Sequence, residues 1–129
     1  MLIRFFMVMA AIFAGLSVVL GAFGSHALKD KLSERYLEIF ETGTRYEMYH
    51  SLALLLVALL LMVLGETQPF LVAAGFAFIA GIVIFSGSLY ALSLSGISWL
   101  GAITPLGGLA FIIGWVCLAV QGWNFKGLS

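Results

Sequence analysis

Two histidines, His26 and His50, are the side chains of this sequence best suited to ligate, shuttle or switch. Tyr46 precedes His50 by four positions, a spacing that puts both on one face of a helix. A pair of imidazoles on neighbouring helices can contribute to a metal site or ligate a haem. Glu47 is the nearest further ligand, but it points about 100° away from the Tyr46–His50 face. Structural histidines are the commoner outcome, and neither a metal nor a cofactor is expected. Ser86 and Ser88, in Phe85-Ser86-Gly87-Ser88-Leu89, lack the Gly-x-Ser-x-Gly spacing of a nucleophile elbow. No Asp lies in any apolar stretch, which argues against a Ser-His-Asp hydrolase, and no catalytic residue is expected. The single Cys, Cys117, rules out an intrachain disulfide framework and any multi-cysteine metal site.

The elements that must position these groups follow from composition. Of 129 residues, 63% are hydrophobic and 9% charged, with zero net charge. Soluble domains average roughly 45–50% apolar and about 25% charged, so water is the wrong solvent for this chain. Disorder and a basic nucleic-acid surface are excluded on the same grounds. Nine of the twelve charged residues fall between Lys29 and Glu47, leaving charge-free runs at 5–28, 48–65 and 67–125. A membrane-crossing helix needs about 20 apolar residues. The expectation is four spans, at about 5–24, 47–65, 70–94 and 103–124. The first apolar run exceeds the ~7–15 residues of a signal-peptide core, which makes it a retained span. Thr104 and Pro105 suit the N-cap and first position of the fourth helix. The fold class expected is all-α: one integral membrane four-helix bundle over residues 1–129.

Between spans one and two, Leu28, Leu32, Tyr36, Ile39 and Phe40 share an arc of about 120° on a helical wheel. This predicts a separate amphipathic helix over about 28–41, lying in the membrane interface across the bundle axis and ended by Gly43. Call the side bearing this segment face A and the opposite side face B. His26, Tyr46, His50, Tyr90 and Thr104 then gather in the face-A half, with Ser86 about two turns inside it. Polar groups in hydrocarbon are costly without partners. His26, Tyr46, His50, Ser86, Tyr90 and Thr104 are therefore the candidate ligand-binding residues, lining a polar vestibule near the long first loop. The two histidine rings should lie within about 10 Å, the reach of one side chain or water.

The corresponding function is non-catalytic binding of a membrane lipid, small amphiphile or membrane partner. Helix-end hydrogen bonding alone accounts for the same residues. A passive channel for an uncharged solute and a histidine-ligated metal or haem protein are the alternatives. Proton-coupled transport is disfavoured, because no expected span carries a charged residue near its middle. Small-residue pairs at Ala11/Gly15, Ala77/Gly81, Gly87/Ala91 and Ala110/Gly114 permit close helix packing within the bundle or in a homo-oligomer.

Four local strings occur in order: Gly21-Ala22-Phe23-Gly24-Ser25-His26-Ala27-Leu28, Tyr46-Glu47-Met48-Tyr49-His50-Ser51, Phe85-Ser86-Gly87-Ser88-Leu89-Tyr90 and Thr104-Pro105-Leu106-Gly107-Gly108. Together they resemble the YgdD-like bacterial inner-membrane family, the domain of unknown function 423 group, over nearly the whole chain. Ser25 stands where the family pattern has Ala. The resemblance implies a small four-helix protein of the bacterial inner membrane and brings no established activity with it. The Lys/Arg count favours a cytoplasmic face A. The basic C-termini of the resembled family imply the opposite, and cytoplasmic termini are the expectation adopted.

Overall fold

The computed structural model describes residues 1–128. Among these, four helical rods are long and apolar enough to cross a membrane: Leu2–Leu28, Glu34–Leu64, Pro69–Ser95 and Ser98–Trp123. No strand occurs among the described residues. The first rod is α1 (Leu2–Phe23) closing in a π-helical turn at Gly24–Leu28, and the second is α2 (Glu34–Leu64). The third joins α3 (Pro69–Gly81) to α4 (Gly87–Ser95) through a π-helical turn at Ile82–Ser86. The fourth begins as a 3-10 turn at Ser98–Ala102 and continues as α5 (Thr104–Trp123). The result is a four-helix membrane bundle. The rods α2 and α3–α4 form its inner pair, with α1 packed on α2 and α5 on α3 and the second π-turn.

Glycine–aromatic pairing sets the helix spacing. A side chain at Gly75 would run into the Phe6 ring, at Gly81 into Phe111, and at Gly114 into Phe78. Gly81 and Gly114 thus receive each other's helix, Phe111 entering α3 and Phe78 entering α5. At Gly107 the approach is closest, because there the neighbour is the Phe85 backbone itself. Small residues let membrane helices gain dispersion contact where no hydrophobic drive exists between them. Gly15 and Gly87, by contrast, meet nothing within 4 Å and face outward. Phe6, Leu54, Val57, Ala58, Leu61, Leu71, Ala74 and Phe78 are fully buried and fill the interior toward face B.

The interfacial helix expected over 28–41 is not a separate element. Ser33 is the N-cap, its hydroxyl accepting the Tyr36 N–H at 3.2 Å, and the helix then runs from Glu34 to Leu64 without a break. Gly43 does not end it. Its missing side chain makes room for the Tyr90 ring, which an added Cβ would meet at 2.7 Å. Phe40 is buried against that same ring, with centroids 5.0 Å apart. The apolar arc is real, but it seats the start of α2 on the bundle rather than on lipid headgroups.

Two chain reversals are settled by local chemistry. Gly96 closes α4 in the left-handed region (φ +71°), where a side chain would be strained. In the turn after α2, Glu66 Oε1 accepts the Ile3 N–H at 3.2 Å and lies 3.4 Å from the Met1 ammonium. One carboxylate thereby satisfies an orphan donor at the α1 N-terminus.

Candidate functional site

Polar side chains from each neighbouring rod converge on α2 between Gly43 and Ser51. From α1, Ser17 donates to the Thr44 carbonyl at 2.8 Å. From the second π-turn, Ser86 donates to the Gly43 carbonyl at 2.8 Å. From α4, the Tyr90 hydroxyl donates to Glu47 Oε1 at 2.6 Å. On α2 itself Ser51 donates to the Glu47 carbonyl. A helix carbonyl keeps a second lone pair after its intrahelical bond, which is how serines clasp one helix to another in an apolar medium.

His50 completes the layer. Its Nδ1 lies 2.8 Å from the Tyr46 carbonyl and its Nε2 lies 3.1 Å from Trp115 Nε1. A carbonyl can only accept and an indole N–H can only donate, so Nδ1 carries the proton and Nε2 accepts. The ring also stacks on Phe111, with centroids 3.5 Å apart at 10°. Ser88 and Thr104 share a 2.6 Å hydrogen bond between α4 and α5. Thr104 is consequently not the α5 N-cap, because its hydroxyl is turned to Ser88 and Ile103 holds the cap position. Among the described residues no buried side-chain nitrogen or oxygen lacks a partner.

Counting back from Leu64 at 1.5 Å per residue, Glu47 lies about 26 Å along α2. With Leu64 taken as the face-B edge of a hydrocarbon core of about 30 Å, that depth is inside the core and close to its face-A boundary.

The sequence profile of the family described as "Protein of unknown function (DUF423)" matches residues 20–108. The chain belongs to the DUF423 family. It is 50% identical over 122 residues to the UPF0382 membrane protein YwdK of Bacillus subtilis, covering 95% of this chain and 98% of that protein. A UPF0382 membrane protein of Staphylococcus epidermidis is 46% identical over 124 residues, covering 96% and 99%. One from Staphylococcus aureus is 44% identical over the same length, also covering 96% and 99%. No solved structure matches the chain. With four apolar rods and relatives named membrane proteins, this DUF423 chain is a multi-pass membrane protein of unknown function.

The DUF423 layer brings some of the expected residues together and separates others. Tyr46 stacks beside His50 at 6.0 Å but is 39% exposed. Ser86, Tyr90 and Thr104 lie in the layer, each bonded to a protein group rather than lining a void. His26 is not part of it: it is exposed on the first π-turn. Gly24, two residues before His26, lies against Phe40, ten residues before His50. The imidazoles are thus about 15 Å or more apart along the bundle axis, beyond the 10 Å expected. The cause is the unbroken α2, which carries His50 into the bundle while His26 stays at its mouth. Both nitrogens of His50 are engaged, and no three His, Cys, Asp or Glu side chains converge among the described residues.

The candidate set left out several members of the layer, Ser17, Ser51, Glu47 and Trp115 among them, and the last two carried a signal that could have found them. Glu47 reads as an interface residue only if the helix begins there; in fact it lies thirteen residues after the start of α2 and is 3% exposed. Trp115 is too deep for an interfacial belt, and its N–H needs an acceptor at that depth, which is the signal that points to His50.

An apolar opening lies at the other end. Leu60, Val63 and Leu64 of α2, Leu118 and Gln121 of α5, and Phe125 line a groove of about 340 Å³. Gln121 Nε2 donates to Gln68 Oε1 at 3.3 Å, and Gln68 Nε2 to the Leu64 carbonyl at 3.2 Å.

Proposed function

We propose that the protein is a non-catalytic protein of the bacterial inner membrane that binds a lipid or small amphiphile sideways from the bilayer. The groove between α2 and α5 carries this reading. Its volume of about 340 Å³ falls in the range of small-molecule sites, roughly 300–1,000 Å³. Its walls are apolar, as an acyl chain requires, and the amide of Gln121 offers a polar contact. The binding end is thus face B, since the face-A polar groups bond one another. α-Helical spans also suit an inner membrane, whereas outer-membrane spanners are β-barrels.

Three observations favour this reading over its rivals. The Ser86 and Ser88 hydroxyls are engaged with Gly43, Phe85 and Thr104, not with a base that could activate them. Fully buried Leu54, Val57, Leu61, Leu71 and Phe78 fill the interior, which disfavours a passive pore through one protomer. Both ring nitrogens of His50 are occupied, which disfavours a metal or haem ligand there. A second copy is a further partner in this proposal, through the outward face of α1 at Ala11 and Gly15.

Native mass spectrometry from mild detergent tests the groove. The protein should retain a lipid adduct that Gly122→Trp abolishes. Gly122 borders the groove and meets nothing within 4 Å, so the indole can fill the space without clashing. Equal lipid retention by both proteins refutes the reading.

A further inference from the structure

Of the six acidic residues in the chain, Glu47 alone is buried. Asp30, Glu34, Glu38, Glu41 and Glu66 are all exposed. A buried carboxylate in a membrane calls for a cation, so the groups on every packed element decide its state.

On α2, Arg45 is exposed and two positions from Glu47, which turns it about 200° away. His50 donates its Nδ1–H to the Tyr46 backbone carbonyl and uses Nε2 to accept from Trp115. The α1 rod holds Arg4 and His26, near its two ends. The α3–α4 rod has no charged residue, and its titratable group is Tyr90. The α5 rod has no charged residue either, and its titratable group is Cys117. Among the described residues Glu47 therefore has a neutral donor, the Tyr90 hydroxyl at 2.6 Å, and no cation in salt-bridge contact.

An isolated ion in such a site is removed by neutralisation rather than endured. A hard metal ion is a poor neutraliser here, because it asks for about six oxygen ligands where one carboxyl and one phenol converge. A proton needs only the carboxyl.

We propose that Glu47 and Tyr90 form a proton-binding site open to face A, with Glu47 carrying the proton in the folded protein at neutral pH. A hydronium ion in face-A water breaks one O–H bond and leaves as water, and the carboxylate forms the new O–H bond. Tyr90 keeps its own proton and continues to donate to Oε1. The site is a dead end, since the fully buried side chains from Leu54 to Leu61 bar the way to face B. Losing the proton leaves an unpaired charge beside the contact that Phe40, Gly43 and Tyr90 make between α2 and α4. The charge state of Glu47 is thereby tied to the closure of that contact.

Infrared spectroscopy of the full chain in lipid nanodiscs at neutral pH tests this. A protonated-carboxyl C=O band should be present, absent in Glu47→Gln, and displaced in Tyr90→Phe, which keeps the ring and deletes the donor. Carboxyl-labelled glutamate in the unsubstituted protein gives the same readout if Glu47→Gln fails to fold. One of the five glutamates should then report as a neutral acid. A spectrum with every glutamate ionised overturns the proposal, and so does a C=O band that Tyr90→Phe leaves unmoved. Neither result bears on lipid retention in the groove.

Discussion

Gly107→Ala adds one methyl group at the tightest helix contact in the bundle. Its carbon would sit 2.3 Å from the Phe85 backbone nitrogen and 2.7 Å from the Phe85 Cα. Ordinary contact begins at 3.4 Å, so α5 must retreat by the difference between 3.4 and 2.3 Å, about 1.1 Å. A side chain in the way could rotate; a helix backbone cannot. Retreat by that distance forfeits a quarter to a half or more of each local dispersion contact, including Phe111 at Gly81 and Phe78 at Gly114. Overpacking costs typically 1–3 kcal/mol, and a backbone clash belongs in the upper half, about 2–3 kcal/mol. The folded-to-unfolded ratio should fall about 30- to 150-fold. Gly87→Ala is the control, since Gly87 meets nothing within 4 Å, and its effect should stay within about 0.5 kcal/mol. Unfolding in mixed micelles by increasing SDS, followed by circular dichroism, measures both. If the two variants unfold at the same SDS fraction, the packing argument is wrong.

Three further outcomes follow from individual polar contacts. Trp115→Phe keeps an aromatic ring on α5 but leaves His50 Nε2 without its donor, and should cost about 1 kcal/mol in the same assay. Nitrogen NMR of the unsubstituted protein should find the His50 proton on Nδ1, and a proton on Nε2 would contradict the assigned bond. Glu66 is held below the ordinary carboxylate range, first by the Ile3 N–H and then by the Met1 ammonium. A group lowered on folding stabilises above its unfolded value, and that contribution disappears as pH falls through the lowered one. Glu66→Gln should therefore weaken the fold near neutrality and match the unsubstituted protein in acid; a deficit that persists in acid would point to another cause.

The four rods are legible because exclusion of charge from hydrocarbon is a strong, nearly local rule. The continuity of α2 is not, since a helix needs only backbone bonds and tolerates charge wherever it meets water. The charged residues clustered before Tyr49 thus suggest a segment outside the bundle, although α2 passes straight through the six from Glu34 to Glu47. Gly43 carries the same ambiguity. As a local signal it is a helix stop, and only the Tyr90 ring, forty-seven residues away in sequence, makes it a packing site. Ser86, Tyr90 and Thr104 are legible as polar groups needing partners. Which partners they find depends on helix rotation, set by glycine–phenylalanine contacts that leave no periodic trace. Placing His26 beside His50 fails for the reason the interfacial helix does: both assume a joint at Gly43.

That missing joint has a mechanical consequence. At 31 residues α2 is about 46 Å long, so roughly 16 Å of it stands beyond a 30 Å hydrocarbon core on face A. The projecting stretch and the part that carries Glu47 and His50 form one stiff beam. Its fulcrum is the pair of serine bonds to the Gly43 and Thr44 carbonyls. A hinge would let the outer arm swing while the interior stayed still. Without one, torque applied at Glu34–Glu41 arrives at the Tyr90–Glu47 and Trp115–His50 bonds, and whatever strains those bonds swings the outer arm in return.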